Sequence, residues 1–252
     1  MLVYHPSTWS WTKDSKLCIL TGAGVSAESG VKTFRDSGGL WEGHSIEEVA
    51  TPEGFHQNPS LVINFYNQRR AQLKEVQPNS AHIALGKLKD HLDHRLTLIT
   101  QNVDDLHERG GAASPIHMHG ELKKIRCQSN PTHIRDFEDS QDPTKTLCPQ
   151  CSSIMRPHIV WFGEIPFDME LIESKVRDCT HFVFIGTSSQ VYPAAGYKNL
   201  AKAHGARVLN INLDIDHSDP DTDFFLQGPA GETVPKWVDS LLASEDESRL
   251  SQ

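Results

Sequence analysis

The run Leu17-Cys18-Ile19-Leu20, leading directly into Thr21-Gly22-Ala23-Gly24-Val25-Ser26-Ala27, sets the strongest limit on how this chain folds. An uninterrupted apolar run of this length, ended by glycine, reads as a strand buried on both faces. A G-x-G-x-x-A turn straight after such a strand lets backbone N–H groups approach a pyrophosphate, although a plain tight turn explains the same glycines. Further short, mostly apolar segments at 96–99, 182–185 and 207–211 read as buried strands. Asn58-Pro59 signals the start of a helix over 60–75, and Asn79-Ser80 caps another through about residue 91. Strands alternating with helices predict an α/β fold, a doubly wound, Rossmann-like parallel sheet. The polar stretch 127–155 breaks the rhythm and reads as a small insertion, and the polar tail 243–252 is expected to fray.

At 252 residues the chain suits one large domain with insertions. Its 24 Lys+Arg against 33 Asp+Glu give a net charge of −9, which argues against nucleic acid as a main partner. No apolar run approaches the roughly 18 residues needed for a bilayer span, so no membrane association is expected. The first residues lack the basic flank and apolar core of a secretory leader, and the first arginine is Arg35. An intracellular, cytoplasmic location is expected. There the five cysteines are thiols or metal ligands rather than disulfides.

A dinucleotide-binding dehydrogenase wants an acidic residue at the end of a second strand roughly 20 residues after the glycine turn. Here Thr33-Phe34-Arg35-Asp36-Ser37-Gly38-Gly39-Leu40-Trp41 looks like a loop. Gly22 to Gly30 followed by Thr33-Phe34-Arg35, then Thr100-Gln101-Asn102-Val103-Asp104, His117-Met118-His119-Gly120, Gly186-Thr187-Ser188 and Asn210-Ile211-Asn212, instead resemble the signatures of the sirtuins, NAD-dependent protein-lysine deacylases. The resemblance runs from about residue 17 to 241. It implies NAD as a consumed co-substrate, bound by Gly22, Ala23, Gly24, Ser26 and Ala27, and by Thr33, Phe34, Arg35 and Trp41. Gln101, Asn102, Val103 and Asp104 join them, with Gly186, Thr187, Ser188, Asn212 and Ala230. It also implies the reaction. The acyl oxygen attacks the nicotinamide ribose as nicotinamide leaves, giving an alkylimidate, and a ribose hydroxyl activated by His119 then attacks it. Water completes the release of lysine and O-acyl-ADP-ribose. Asn102 orients ribose and a water, and Asp104 holds the carboxamide. An imidazole with an ordinary pKa near 6.5 suits the base role, and His117 is the lesser candidate.

On the predicted helix over 60–75, Val62, Tyr66, Arg69 and Leu73 share one stripe, so Arg69 stands where an apolar residue belongs. A guanidinium matches a carboxylate with paired hydrogen bonds, and Tyr66 can add a hydroxyl; snorkelling to the surface is the plain alternative. Tyr-x-x-Arg here resembles the class III sirtuins, which implies binding of succinyl- or malonyl-lysine through the distal carboxylate, with acetyl-lysine also accepted. The runner-up is a deacetylase with negligible activity on acidic acyl groups. Val160, Phe162 and Gly163 are expected to receive the substrate backbone as an added strand.

Cys148-Pro149-Gln150-Cys151 is a C-x2-C knuckle, with Cys127 placed 21 residues before Cys148. The sirtuin pattern implies a structural zinc ion on Cys127, Cys148, Cys151 and a fourth cysteine, but Asn130 stands at that fourth place. Either His133 completes the set or the site holds zinc poorly or not at all. The expected organisation is a single catalytic domain whose NAD-binding part spans about 1–35, 94–121 and 157–252. A helical insertion at 36–93 and a zinc-ribbon-like insertion at 122–156 complete it. Acyl-lysine proteins are the expected partners, and the chain is expected to be a monomer. Two rival classes share the glycine turn: an NAD-dependent oxidoreductase, and a non-catalytic ADP-ribose-binding module.

Overall fold

The structure is a computed structural model and describes residues 2–31, 40–41, 43–187 and 192–250. Its strands are β1 (Leu2–Val3), β2 (Leu17–Thr21), β3 (Leu40–Trp41), β4 (His44–Ser45), β5 (Leu96–Thr100), β6 (Ile116–His117), β7 (Gly120–Cys127), β8 (Ile134–Asp136), β9 (Met155–Ile159), β10 (His181–Ile185), β11 (Arg207–Asn212) and β12 (Phe224–Gln227). Seven of them form one parallel sheet in the order β1-β12-β11-β10-β2-β5-β6. From β2 the chain builds outward to β5 and β6 on one side, then to β10, β11 and β12 on the other. The strand order therefore reverses at the junction of β2 and β10, where open α/β sheets bind ligands beyond the strands' carboxyl ends.

The helices are α1 (Pro6–Trp9), α2 (Ile46–Val49), α3 (Pro52–Gln57), α4 (Pro59–Leu73), α5 (Ser80–Leu92), α6 (Leu106–Arg109), α7 (Met169–Asp178), α8 (Tyr197–Ala203) and α9 (Ala230–Leu250). Among the described residues none is long and apolar enough to cross a membrane. On one sheet face Leu85 and Leu88 of α5 and Val234 and Trp237 of α9 pack on Leu17, Ile19, Val183 and Leu209. On the other, Ile172 and Val176 of α7 and Ala201 of α8 cover Cys18, Leu20, Phe182 and Val208. The described residues of the expected helical insertion thus divide by their packing. Helix α5 belongs to the large sheet, whereas α2 to α4 form a separate cluster in which Val49, Phe55, Val62 and Tyr66 meet Leu122, Ile159 and Trp161. The antiparallel sheet β8-β7-β9 carries the cysteine cluster.

The tail differs from the sequence expectation. Helix α9 continues through Leu250, because Glu245 is buried and anchored by Arg95 at 2.5 Å and by the Trp11 indole. A buried ion pair and the apolar positions Leu241 and Leu242 hold this polar stretch in place.

Candidate active site

The loops after β2 and β10 pack so closely that side chains do not fit between them. A Cβ on Gly24 would lie 2.7 Å from Gly186 Cα, and one on Gly22 would lie 2.8 Å from Thr187 Cβ. Gly186 itself needs φ +60°, and its carbonyl accepts the Gly24 N–H at 2.8 Å. The two turns thus leave backbone, not side chains, facing the edge of the sheet at its switch point. That surface fits a pyrophosphate. Gly24→Ala forces a backbone shift against Gly186 and is expected to lower stability by about 1–3 kcal/mol, roughly 3–10 °C in melting temperature. A melt of the variant with and without NAD checks this; unchanged values would show that the packing is not required.

The other expected NAD residues converge on the same edge. Gln101 to Asp104 follow β5, Thr187 follows β10, Asn212 ends β11, and Ala230 opens α9 after β12. The loops are cross-tied: Gln101 Nε2 donates to Thr187 Oγ1 at 3.0 Å, and Asn212 Nδ2 donates to the Thr187 carbonyl at 2.7 Å. Gly231, beside Ala230, donates its N–H to Glu28 at 2.6 Å, next to Ala27. Trp41 is located by its backbone, which pairs with His44 in the β3-β4 hairpin. Thr33, Phe34, Arg35 and Ser188 lie outside the described residues.

Behind this edge lies a buried polar chain. Asn102 Nδ2 donates to Ser26 Oγ at 3.0 Å, and Ser26 Oγ donates to Asp104 Oδ2 at 3.0 Å. The Leu106 N–H donates to Asp104 Oδ1 at 3.1 Å. Burial nonetheless raises the Asp104 carboxyl pKa, these donors only partly offsetting it. His82, which stands outside the motifs, also meets Ser26 Oγ at 3.3 Å. Its Nδ1 accepts the Asn79 N–H at 3.3 Å, so Nε2 carries the proton and donates to Ser26. Burial lowers the His82 pKa to about 4, keeping the ring neutral. Thr21 and Thr100 add a second chain: Thr21 Oγ1 bonds His107 Nε2 and Thr100 Oγ1, each at 2.9 Å, and Thr100 Oγ1 accepts the Asn102 N–H at 3.0 Å. In sequence, Thr21, His82 and His107 carry no signal that separates them from core residues.

The two histidines of His117-Met118-His119 are chemically unlike. His119 Nδ1 faces the Gln101 carbonyl at 3.1 Å; a carbonyl only accepts, so Nδ1 bears the proton and Nε2 the lone pair. Burial lowers the His119 pKa below its ordinary 6.5. His117 is engaged at both nitrogens, by the Asn102 carbonyl at 3.1 Å and Glu108 at 2.8 Å. Burial opposes its charge, but the bond and charge of Glu108 prevail and raise its pKa.

Helix α4 begins as its sequence requires, with Asn58 Oδ1 accepting the Leu61 N–H at 3.0 Å and Pro59 in the first turn. Tyr66 is fully buried and Arg69 is only 6% exposed, so the guanidinium does not reach the surface. It lies 6.0 Å from the Phe65 ring. The neighbouring Arg70 is purely architectural: Nε donates to the Leu122 carbonyl at 2.8 Å and Nη1 to the Asp139 carbonyl at 3.2 Å. The segment after β9 ties to both lobes, since Val160 N–H donates to the His119 carbonyl and Phe162 N–H to the Ala50 carbonyl, both at 2.9 Å. Trp161 N–H donates to Glu164 at 2.8 Å. These N–H groups and the Trp161 carbonyl, which accepts the Glu164 N–H at 2.9 Å, are engaged within the chain, and Gly163 is left-handed (φ +90°).

In the small sheet, ligand atoms of Cys127, His133, Cys148 and Cys151 all lie within 4.8 Å of one another. Cys127 and Cys151 Sγ are 3.4 Å apart, as are Cys148 Sγ and His133 Nδ1. Tetrahedral zinc with Zn–S of about 2.3 Å and Zn–N of about 2.0 Å needs such separations, so a Cys3His set fits a closed structural zinc site. Asn130 sits one layer out, 3.0 Å from His133 Nε2. His133→Ala is expected to cut the zinc retained through dialysis against a weak chelator and to lower the melting temperature. Metal content equal to the wild type would exclude His133 as a ligand.

A sequence model of the Sir2 family matches residues 22–193. A Vibrio parahaemolyticus protein named NAD-dependent protein deacylase is 50% identical over 229 residues, covering 90% of this chain and 95% of its own. One of the same name from Pasteurella multocida is 48% identical over 234 residues, covering 92% of this chain and 100% of its own. The crystal structure of a Sir2 homologue–NAD complex superposes with a TM-score of 0.86 at 36% identity over 97% of both chains.

Proposed function

Because the chain belongs to the Sir2 family, we infer that it is an NAD-dependent protein deacylase acting on acyl-lysine side chains of proteins. What carries the reading is one constellation: Asn102, Ser26 and Asp104 in a buried chain, a neutral His119 held by the Gln101 carbonyl, and the glycine turns at the sheet's switch point. NAD, when bound, supplies the ribose carbon that accepts the acyl oxygen as nicotinamide departs. Gly22, Gly24 and Gly186 would offer backbone to its phosphates, and Asn212 and Thr187 would hold its hydroxyl groups. Asp104 retains lone pairs for a carboxamide N–H, and Asn102 is held by Ser26 to orient ribose and water. His119 Nε2 takes the proton of a ribose hydroxyl. Among acyl groups, succinyl and malonyl are bound by Arg69 with Tyr66, and acetyl is accepted as well. The cysteine–histidine zinc site is structural. The chain acts as a monomer in the cytoplasm, where Cys18 and Cys179 stay reduced thiols and the other three cysteines hold the zinc.

The test is nicotinamide release with NAD and matched succinyl-lysine and acetyl-lysine peptides, with mass spectrometry of the products. Peptide-dependent release, with the acyl group appearing on ADP-ribose, is expected. NAD binding without release would favour the binding-module reading. A pH profile adds a second check. The base works unprotonated, so kcat/KM falls as pH drops through the His119 pKa, which burial holds below 6.5. The acid limb is therefore expected below pH 6.5, and a limb above it would assign the titration to another group.

A further inference from the structure

Tyr66 lies on α4 and Trp161 follows β9, 95 residues later in the chain, yet the Trp161 indole Nε1 donates to Tyr66 Oη at 2.9 Å. Both side chains are buried, at 0% and 2% exposure. An indole N–H can only donate, so the phenol oxygen is the acceptor in this bond. One lone pair of Tyr66 is thereby committed to Trp161, and the phenol's own proton must be directed elsewhere. Burial also raises the Tyr66 pKa, with Trp161 opposing, so the group stays a protonated donor.

The indole is itself held from several sides. The Arg156 guanidinium stacks 3.3 Å from its ring centroid, and the Phe55 ring lies 5.1 Å away. Glu164 accepts the Trp161 backbone N–H and also binds Arg156 at 2.7 Å and Arg126 at 3.0 Å. Rotation of the indole would lose its stacking on Arg156, which Glu164 holds in place.

We infer that Trp161 is a specificity-determining positioning residue: its indole N–H sets the polarity of the Tyr66 hydroxyl, so that Tyr66 donates to the distal carboxylate of an acidic acyl-lysine. The inference rests on the reading that Tyr66 and Arg69 receive that carboxylate. A preset donor strengthens recognition because no reorientation is needed on binding. An acetyl group lacks the carboxylate and gains nothing from the preset.

The experiment measures kcat and KM for succinyl- and acetyl-lysine peptides in Trp161→Phe, Tyr66→Phe and the double variant. For Trp161→Phe the succinyl-to-acetyl ratio of kcat/KM is expected to fall about five- to tenfold, mainly through KM for the succinyl peptide. In the Tyr66→Phe background the same substitution is expected to change the ratio no further. An unchanged ratio in Trp161→Phe, an equal loss on both peptides, or additive effects of the two substitutions would each overturn the inference while leaving the proposed function intact. An unchanged ratio in Tyr66→Phe would instead remove the premise, and the inference with it. If Trp161→Phe does not fold, 3-benzothienylalanine at position 161 replaces the N–H by sulfur in nearly the same shape, and the same comparisons decide.

Discussion

His119→Ala is expected to lower the deacylation rate by about 10²- to 10⁴-fold, the range for loss of a positioned general base. The substitution leaves the Gln101 carbonyl without its imidazole donor but opens no core cavity, because the ring is only part-buried. His117 does not take over. It is the nearest imidazole in sequence, and both its nitrogens are engaged by Asn102 and Glu108. The loss should fall after nicotinamide departs, so exchange of labelled nicotinamide is expected to outlast formation of free lysine. Measuring both rates, with NAD binding as a control for folding, separates the steps. Deacylation within tenfold of the wild type would remove His119 from the reaction.

Arg69→Met should reduce kcat/KM for a succinyl-lysine peptide by roughly 30- to 100-fold, as expected when a charge-assisted pair worth about 2–3 kcal/mol is lost. The acetyl-lysine peptide should change only a few-fold. Methionine keeps most of the buried volume, so the α4 face that packs Val62, Tyr66 and Leu73 is retained. Equal loss on both peptides would sink the carboxylate reading. Arg70→Met is the informative contrast: it severs the bonds to Leu122 and Asp139 and is expected to lower the melting temperature, affecting both peptides alike.

The helices starting at Pro59 and Ser80 followed from Asn58 and Asn79, whose side chains do cap them. The short helices α2 and α3 lie within the expected helical insertion and start at Ser45 with Glu48 and at Thr51 with Pro52, ordinary start signals. The tail reads as exposed because polarity predicts exposure on average, whereas the partners that bury Glu245 lie 234 and 150 residues away. Among site residues, Asn102, Asp104 and His119 stood in motifs. His82, His107 and Trp161 act through contacts that no local pattern announces.

The sequence by itself determined the buried parallel strands, the glycine turns that end them and the family whose signatures follow in order, because these depend on residues close together in the chain. Only the tertiary structure decided which of two neighbouring histidines is neutral and which is paired, that Arg69 is buried, and that His133 rather than Asn130 faces the three cysteines. Those properties depend on burial and on partners brought from distant segments. Charge, tautomer and ligand identity follow from the space a side chain occupies rather than from its neighbours in sequence.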